Sequence, residues 1–368
     1  MNIAFLIFSF NIGGIERLLI DMSNNMSANG HNIFLIVIND DFNKDLLGLL
    51  SPKVHIIFLH RQMGEKKLFP YMLKLAKIVK RNKIQVLHCQ GINCVIFSFI
   101  VKVFSHKTAI LNTVHDNGNY TRTYSKKKIF LAHLLLDMTI AISDSVRNEI
   151  LSQGIDSDKV VTIHNAIDID KFQYVPRKEK KFDNNTPIEI VNVARFMPEK
   201  KGQDLLVNAA RKLVKKYPLL HITFAGAVAR NQEESYHKIL EYIKEADLEK
   251  NISFAGNVDN IPELLATADL FVLPSRYEGF GIALVEALAT GLVVVASNLE
   301  GPAEIMKCHP EYGLLFEPGN ADDLAVKIND VITNFPSYNP ELISQKVRKD
   351  YNMDNMCLQH ISLYRALL

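Results

Sequence analysis

Cysteine is scarce in this chain, four of 368 residues, and Cys89, Cys94, Cys308 and Cys357 form neither a CxxC pair nor a metal-ligand cluster. That speaks against a disulfide framework and for buried thiols in a reducing compartment. Long hydrophobic runs are missing too. The longest after the N-terminus, NCVIFSFIVKVF, is too short to span a bilayer and contains Lys102. The opening MNIAFLIFSFNIGG has no basic region ahead of its apolar stretch and soon meets a glycine loop, so it reads as a first strand rather than a signal peptide. There is no low-complexity tract, no internal repeat and no GxGxxG, and the last absence argues against a nicotinamide or flavin enzyme. A cytoplasmic globular protein is expected.

What is present is ordinary in bulk and uneven in charge. Hydrophobic residues make up 48% and charged residues 22%, and the length suits two domains of roughly 150 to 200 residues. Residues 1–171 hold 20 Lys and Arg against 14 Asp and Glu, a net +6, whereas the remainder holds 22 against 26, a net −4. Between Lys66 and His115 nine basic residues meet no acid, which points to an anionic partner for the front half.

Apolar runs rich in Ile, Val, Leu and Phe alternate with longer amphipathic stretches: NIAFLIF, HNIFLIVI, VHIIFLH, IQVLHC, TAILNTV and DMTIAIS. This is the pattern of βαβ units and a parallel sheet. The polar segment RKEKKFDNNTP interrupts it, after which IEIVNVA, LHITFAG, NISFAGN, DLFVLPS, LVVVASN and YGLLF repeat the pattern. The reading is α/β: a first doubly wound domain over residues 1–171, a linker over 172–187, a second doubly wound domain over 188–349, and a helix over 350–368 that packs across the junction. A cleft between the two domains is the natural active site.

In such sheets ligands lie at the carboxyl ends of strands, so the residues that follow each strand are the candidates. After the first comes NIGGIERLL, where Gly13 and Gly14 allow a tight turn and present backbone N–H groups at a helix start. His88 follows the fourth, and His115, with Asp116 and Asn117, follows the fifth in an irregular segment. Lone histidines are most often structural; His115 has the better claim to function. The second half opens VNVARFMPEKKGQDLL, with Arg195 at a strand end and Lys200 and Lys201 ahead of Gly202, a pair of cations suited to a diphosphate. In EGFGIALVE, Glu278 lies in a loop, Gly281 precedes a helix starting near Ile282, and Glu286 sits one turn inside. Helical side chains tilt towards the N-terminus, so both carboxylates face the same helix end.

These segments together, GGIER, TVHD, IHNAIDIDKF, ARFMPEKKGQDLL, FAGNVDNIPELLATADLFVLPS, EGFGIALVEALATGLVVVAS and GPAEI, run in the order found in family 4 of the retaining glycosyltransferases, which the chain resembles over nearly its whole length. The resemblance implies a GT-B fold, two Rossmann-like doubly wound parallel-sheet domains facing across a cleft. It further implies transfer of a sugar from a nucleotide-sugar donor, a UDP-hexose or UDP-N-acetylhexosamine by family frequency, to a glycan or lipid-linked acceptor with the anomeric configuration kept. Residue by residue, Arg195 and Lys201 match the cations on the donor diphosphate and Glu286 the glutamate on the ribose. Glu278 matches the glutamate beside the transferring sugar, and His115 the histidine near its far hydroxyls. Gly14 belongs to the loop over the phosphates, and the backbone of Gly281, Ile282 and Ala283 holds sugar and phosphate. Of the two lysines, Lys201, beside the glycine, is the one assigned. The family's GDG-like turn is replaced here by Gly226, Ala227, Val228 and Ala229.

Asp168 and Asp170 form a DxD-like pair, but they lie in the hinge motif, and the cations already supply the charge a metal would bring, so no metal or other cofactor is expected. KKLFPYMLKLAKIVKRNK, residues 66–83, carries Leu68, Phe69, Met72, Leu75, Ala76 and Val79 at helical spacing among seven basic residues, and TRTYSKKKIF adds a second basic patch. They suggest peripheral contact with the anionic inner face of the cytoplasmic membrane, with no nucleic-acid partner. The products expected are bacterial surface polysaccharides such as capsule or lipopolysaccharide. Two alternatives stand beside this: a nucleotide-sugar 2-epimerase of the same architecture, and a non-catalytic nucleotide-sugar binding protein.

Overall fold

The computed structural model describes residues 1–115, 118–176, 180–183, 185–229 and 231–368. Asp116 and Asn117, and Arg177, Lys178, Glu179 and Asn184 of the expected linker, lie outside the described residues. The chain divides into two compact units, Met1–Ala166 with Met353–Leu368, and Ile167–Asn352. Most of the segment read as linker thus belongs to the second unit. Lys180 bonds both carboxylate oxygens of Asp269 at 2.7 and 2.9 Å, and Asp269 also accepts the Glu189 N–H.

In the first unit β1 (Asn2–Ile7), β2 (Asn32–Asn39), β3 (His55–Arg61), β4 (Val86–Gln90), β5 (Ala109–Val114), β6 (Met138–Ala141) and β7 (Val160–Thr162) form a parallel sheet in the order β3-β2-β1-β4-β5-β6-β7. β1, β2, β4 and β5 are buried almost throughout, as unbroken apolar runs in a helix-covered parallel sheet must be. β3, on the edge, is largely exposed. Six of these strands sit on the runs picked out above; β7 is three residues inside VVTIHNAIDIDKF, too short to show as a period.

Several sequence expectations change in this unit. His88 lies within β4, not beyond it, and is buried. Its ring nitrogens stand 2.7 Å from the Tyr364 hydroxyl and 2.6 Å from that of Thr113, so it fastens the C-terminal helix Met353–Ala366 to the sheet. In the helix Phe69–Arg81, Leu75, Ala76 and Val79 pack into the core, leaving Leu68 and Phe69 exposed at its head. The apolar stripe is therefore covered within this unit for most of its length, by the helix Phe99–Phe104 and by β3. Cys89, Cys94 and Cys357 are buried as expected, but Cys308, in the second unit, is exposed.

Burial pushes the imidazoles of His88, His133 and His360 down, the latter two to about 4. Below the ordinary histidine value of 6.5 the unfolded chain takes up protons that the folded unit resists, so stability is complete above about 6.5 and is lost as pH falls towards 4. For His360 the loss at pH 5 is about 2 kcal/mol. Urea unfolding at pH 7 and pH 5 is expected to show this slope, and the His360→Asn variant a shallower one; equal slopes in the two proteins would remove His360 from the account.

The second unit repeats the plan with six parallel strands, β8 (Ile188–Val193), β9 (Leu220–Ala225), β10 (Ile252–Gly256), β11 (Leu270–Leu273), β12 (Val293–Ser297) and β13 (Gly313–Phe316), in the order β10-β9-β8-β11-β12-β13. All six fall on the second series of apolar runs. β11 and β12 are fully buried. No helix among the described residues is long and apolar enough to cross a membrane.

Candidate functional site

In the second unit the chain winds outward through β8, β9 and β10, then restarts at β11 on the other side of β8. The carboxyl ends of β8 and β11 therefore flank the switch point, where open α/β sheets hold their ligands. Two loops leave these ends, and both hold residues singled out above.

The loop after β8 is fixed by its backbone. Phe196 is buried in an aromatic cluster with Tyr236 and Phe254, at centroid distances of 5.1 and 5.6 Å. The buried Gln203 side chain donates to the Arg195 carbonyl at 3.0 Å. Gly226, at φ +143°, lies against the same backbone, and a Cβ there would strike the Ala194 carbonyl. The GAVA segment then pairs with the loop, Phe196 N–H donating to Ala227 and Ala229 N–H to Phe196. Arg195 thus has an anchored main chain and an exposed side chain. One helical turn, Pro198–Lys201, follows and ends at Gly202, whose φ of +67° suits glycine.

The loop after β11 docks onto this turn. The N–H groups of Arg276 and Tyr277 both donate to the Lys200 carbonyl. The Arg276 guanidinium forks onto Asp204 with two bonds of 2.7 Å and also reaches the Pro198 carbonyl at 2.8 Å. Hydrogen bonding to Asp204 raises the guanidinium's pKa further. This docking brings Lys201 and Glu278 together: the ammonium lies 2.8 Å from Oε2, which also accepts from Ser275 Oγ at 3.2 Å. The two side chains are only 22% and 14% exposed, so water screens the pair less than it would at an open surface. Lys200 contributes its carbonyl to the docking.

Gly281, at φ +102°, turns the chain into the helix Ile282–Ala289, as expected. The N–H groups of Ile282 and Ala283 open that helix, where helical geometry supplies no acceptor. Glu286 is half-buried on it. The helix Glu300–Met306, from the GPAEI motif, closes on the GFG loop; a Cβ on Gly301 would lie 2.6 Å from the Gly279 carbonyl oxygen. Elsewhere in this unit Asp168 accepts the Asp170 N–H at 3.1 Å and pairs with Lys171 at 3.3 Å, as a turn-capping residue does.

The first unit carries the remaining candidates at its own switch point, between β1 and β4. Gly14 begins the helix Gly14–Ala28; its cap residue, Gly13, makes no side-chain cap bond. His115 directly follows β5, half-buried, with Nε2 2.7 Å from the Gln90 side-chain oxygen at the end of β4. Glu149 accepts from the N–H groups of Gly118 and Thr121 at 2.7 and 2.9 Å.

Lys201 and Glu278 therefore meet, Arg195, Gly281 and Glu286 occupy the loops and helix around the same strand ends, and Gly14 and His115 occupy the equivalent edge of the other sheet. Sequence reasoning missed Arg276, Asp204, Gln203 and Gly301. Asp204, Gln203 and Gly301 lie inside motifs already quoted, whereas Arg276 falls between two of them.

Residues 12–171 match the family described as Glycosyltransferase Family 4, and residues 176–348 the family described as Glycosyl transferases group 1. An uncharacterized glycosyltransferase of Haemophilus influenzae is 26% identical over 370 residues, covering 96% of this chain and 97% of that one. The capsular polysaccharide biosynthesis glycosyltransferase CapH of Staphylococcus aureus is 26% identical over 250 residues, 65% of this chain and 66% of its own. Among solved structures, Anabaena HepE in complex with UDP-glucose superposes with a TM-score of 0.83 at 20% identity over the full length of both chains.

Proposed function

The chain belongs to glycosyltransferase family 4 and has the GT-B fold, and from that premise we propose that it transfers a hexose or N-acetylhexosamine from a UDP-linked donor, with retention, to a glycan or lipid-linked acceptor of a bacterial surface polysaccharide. The Lys201–Glu278 pair carries this reading. A nucleoside diphosphate leaving an anomeric carbon builds negative charge on one side of the breaking bond and oxocarbenium character on the other. An ammonium and a carboxylate 2.8 Å apart meet both.

Paired as they are, the two ions neutralise each other. On donor binding the diphosphate takes over the ammonium of Lys201, joined by Arg195, while the Glu278 carboxylate is left beside the sugar. Gly281, Ile282 and Ala283 present backbone N–H groups to the phosphate and sugar, and Glu286 binds the ribose. The chain's own cations meet the donor's charge, so no metal or other cofactor enters the reaction. The UDP-glucose bound by HepE and the capsular role of CapH support the choice of donor and of pathway.

A thermal-shift screen of UDP- and GDP-linked sugars tests this. A donor at about a hundred times its Kd stabilises the fold by about 2.7 kcal/mol, and excess chelator is expected to leave the shift in place. The binding sugar, incubated with no acceptor, is expected to remain unepimerised. Absence of a shift with every nucleotide sugar would defeat the proposal.

A further inference from the structure

Lys201 is not the only donor to the Glu278 carboxylate. The Ser275 hydroxyl, in the loop after β11, is completely buried, and its one hydrogen-bond partner among the described residues is Oε2 of Glu278, at 3.2 Å. Buried side-chain hydroxyls mostly bond main chain, and elsewhere in this unit they do: Ser297 Oγ donates to the Leu273 carbonyl and Ser344 Oγ to that of Ala289. Ser275 gives its single O–H to a side chain of the candidate site instead. Its backbone is pinned on both sides. The Pro274 carbonyl lies against Gly202, where a Cβ would overlap it, and the Arg276 N–H donates to the Lys200 carbonyl at 2.8 Å. The hydroxyl is therefore a fixed point from which the carboxylate can be held.

Both bonds to the carboxylate end on the same oxygen. Lys201 Nζ and Ser275 Oγ meet Oε2, and Oε1 accepts no hydrogen bond from the described residues. A hydroxyl bonded to a carboxylate ordinarily lies about 2.5 to 2.7 Å from it. Here the ammonium, at 2.8 Å, is the closer donor and the serine stands off at 3.2 Å; bonds of this kind tighten when substrate binds. Once the donor diphosphate takes over the ammonium, Oε2 keeps one donor, Ser275. Without it a sheltered carboxylate oxygen would lose its last partner, and the long glutamate side chain would turn away to find another. We propose that Ser275 is a positioning residue for Glu278: its hydroxyl tethers Oε2 after the ammonium has moved to the diphosphate, so that Oε1 is the oxygen presented to the anomeric centre. This rests on the donor reading given under the proposed function.

Ser275→Ala and Ser275→Cys in the full chain test this. Cysteine nearly keeps the volume but is a weak donor, so tethering predicts that both variants fail alike, whereas a packing role predicts that cysteine restores the rate. The probe is the UDP-sugar that stabilises the wild type most, and the rate is that of UDP release with water as acceptor. In that step the bond from the anomeric carbon to the diphosphate oxygen breaks, UDP leaves with the electron pair, and the water oxygen bonds to the carbon and gives a proton to solvent. In both variants kcat is expected to fall about ten- to a hundredfold, the loss of a bond to a charged group, with KM and the donor-induced thermal shift as in the wild type. In a Glu278→Gln background Ser275→Ala is expected to cost much less, because the serine acts through that carboxylate. In crystals grown with UDP, Ser275 Oγ is expected to close to about 2.7 Å from Oε2. Wild-type kcat in Ser275→Ala, full restoration by cysteine, losses that simply add to that of Glu278→Gln, or a UDP complex in which Lys201 stays on Oε2 each overturns the inference alone. Absence of any thermal shift with UDP-sugars in the wild type overturns the donor reading, and the inference falls with it.

Discussion

Replacing Lys201 with alanine is expected to lower kcat/KM for sugar transfer by roughly two to three decades, a loss of about 3 to 4 kcal/mol of transition-state stabilisation, as for the removal of one preorganised group facing developing charge. The same substitution costs far less in folding. The Lys201–Glu278 pair is sheltered but reaches water, so its loss is expected to cost no more than about 1 kcal/mol of stability. A large effect on rate with a small effect on melting identifies the ammonium as a group that acts on substrate. Glu278→Gln is expected to weaken transfer as well, by removing the charge that faces the oxocarbenium-like sugar. The two losses are not expected to add, because each single change also releases the other residue from the pair. Initial rates with the donor found by thermal shift decide the matter; a rate within a few-fold of wild type for Lys201→Ala would take the diphosphate role away from this lysine.

The strands were legible because buried parallel strands are continuous apolar runs, as β1, β2, β4, β5, β11 and β12 are, and because the less buried β3 and β10 still fall on apolar stretches. β7 escaped because three residues cannot display a period. The stripe of residues 66–83 was visible, but periodicity reports that a helix has an apolar face and not what lies against it, and here that is mostly the helix Phe99–Phe104 of the same unit. His88 shows the same limit: its distance along the chain suggests a strand end, while its partners, Thr113 and Tyr364, are set by the fold. In the candidate site, residues standing in loops next to glycines could be found, because backbone freedom and charge are written locally. Arg276 and Asp204 could not, since their fork joins positions 72 residues apart and each alone looks like an ordinary surface charge.

That fork explains why Gly202→Ala is expected to be among the most damaging single-methyl changes in the second unit. Gly202 has φ +67°, and a Cβ there would collide with the Pro274 carbonyl oxygen and lie 2.8 Å from its carbon. Left-handed backbone costs an alanine about 1 to 2 kcal/mol, and overpacking a rigid contact adds about 1 to 3 kcal/mol. Backbone is the obstacle on both sides, so relief comes only by parting the Pro198–Gly202 turn from the Pro274–Glu278 loop. The bonds from Arg276 to Pro198 and Asp204 then stretch, and Lys201 moves off Glu278. Gly319→Ala is the matched control: at φ +81° it incurs the same backbone penalty, but a Cβ there meets nothing within 4 Å. Urea unfolding is therefore expected to place Gly202→Ala below Gly319→Ala by about 1 to 3 kcal/mol, the overpacking contribution alone. Donor-induced stabilisation is expected to survive in the control and to be lost in Gly202→Ala. Equal stability in the two variants would mean that the turn and the loop do not touch through their backbones, and the account of how Lys201 reaches Glu278 would fail with it.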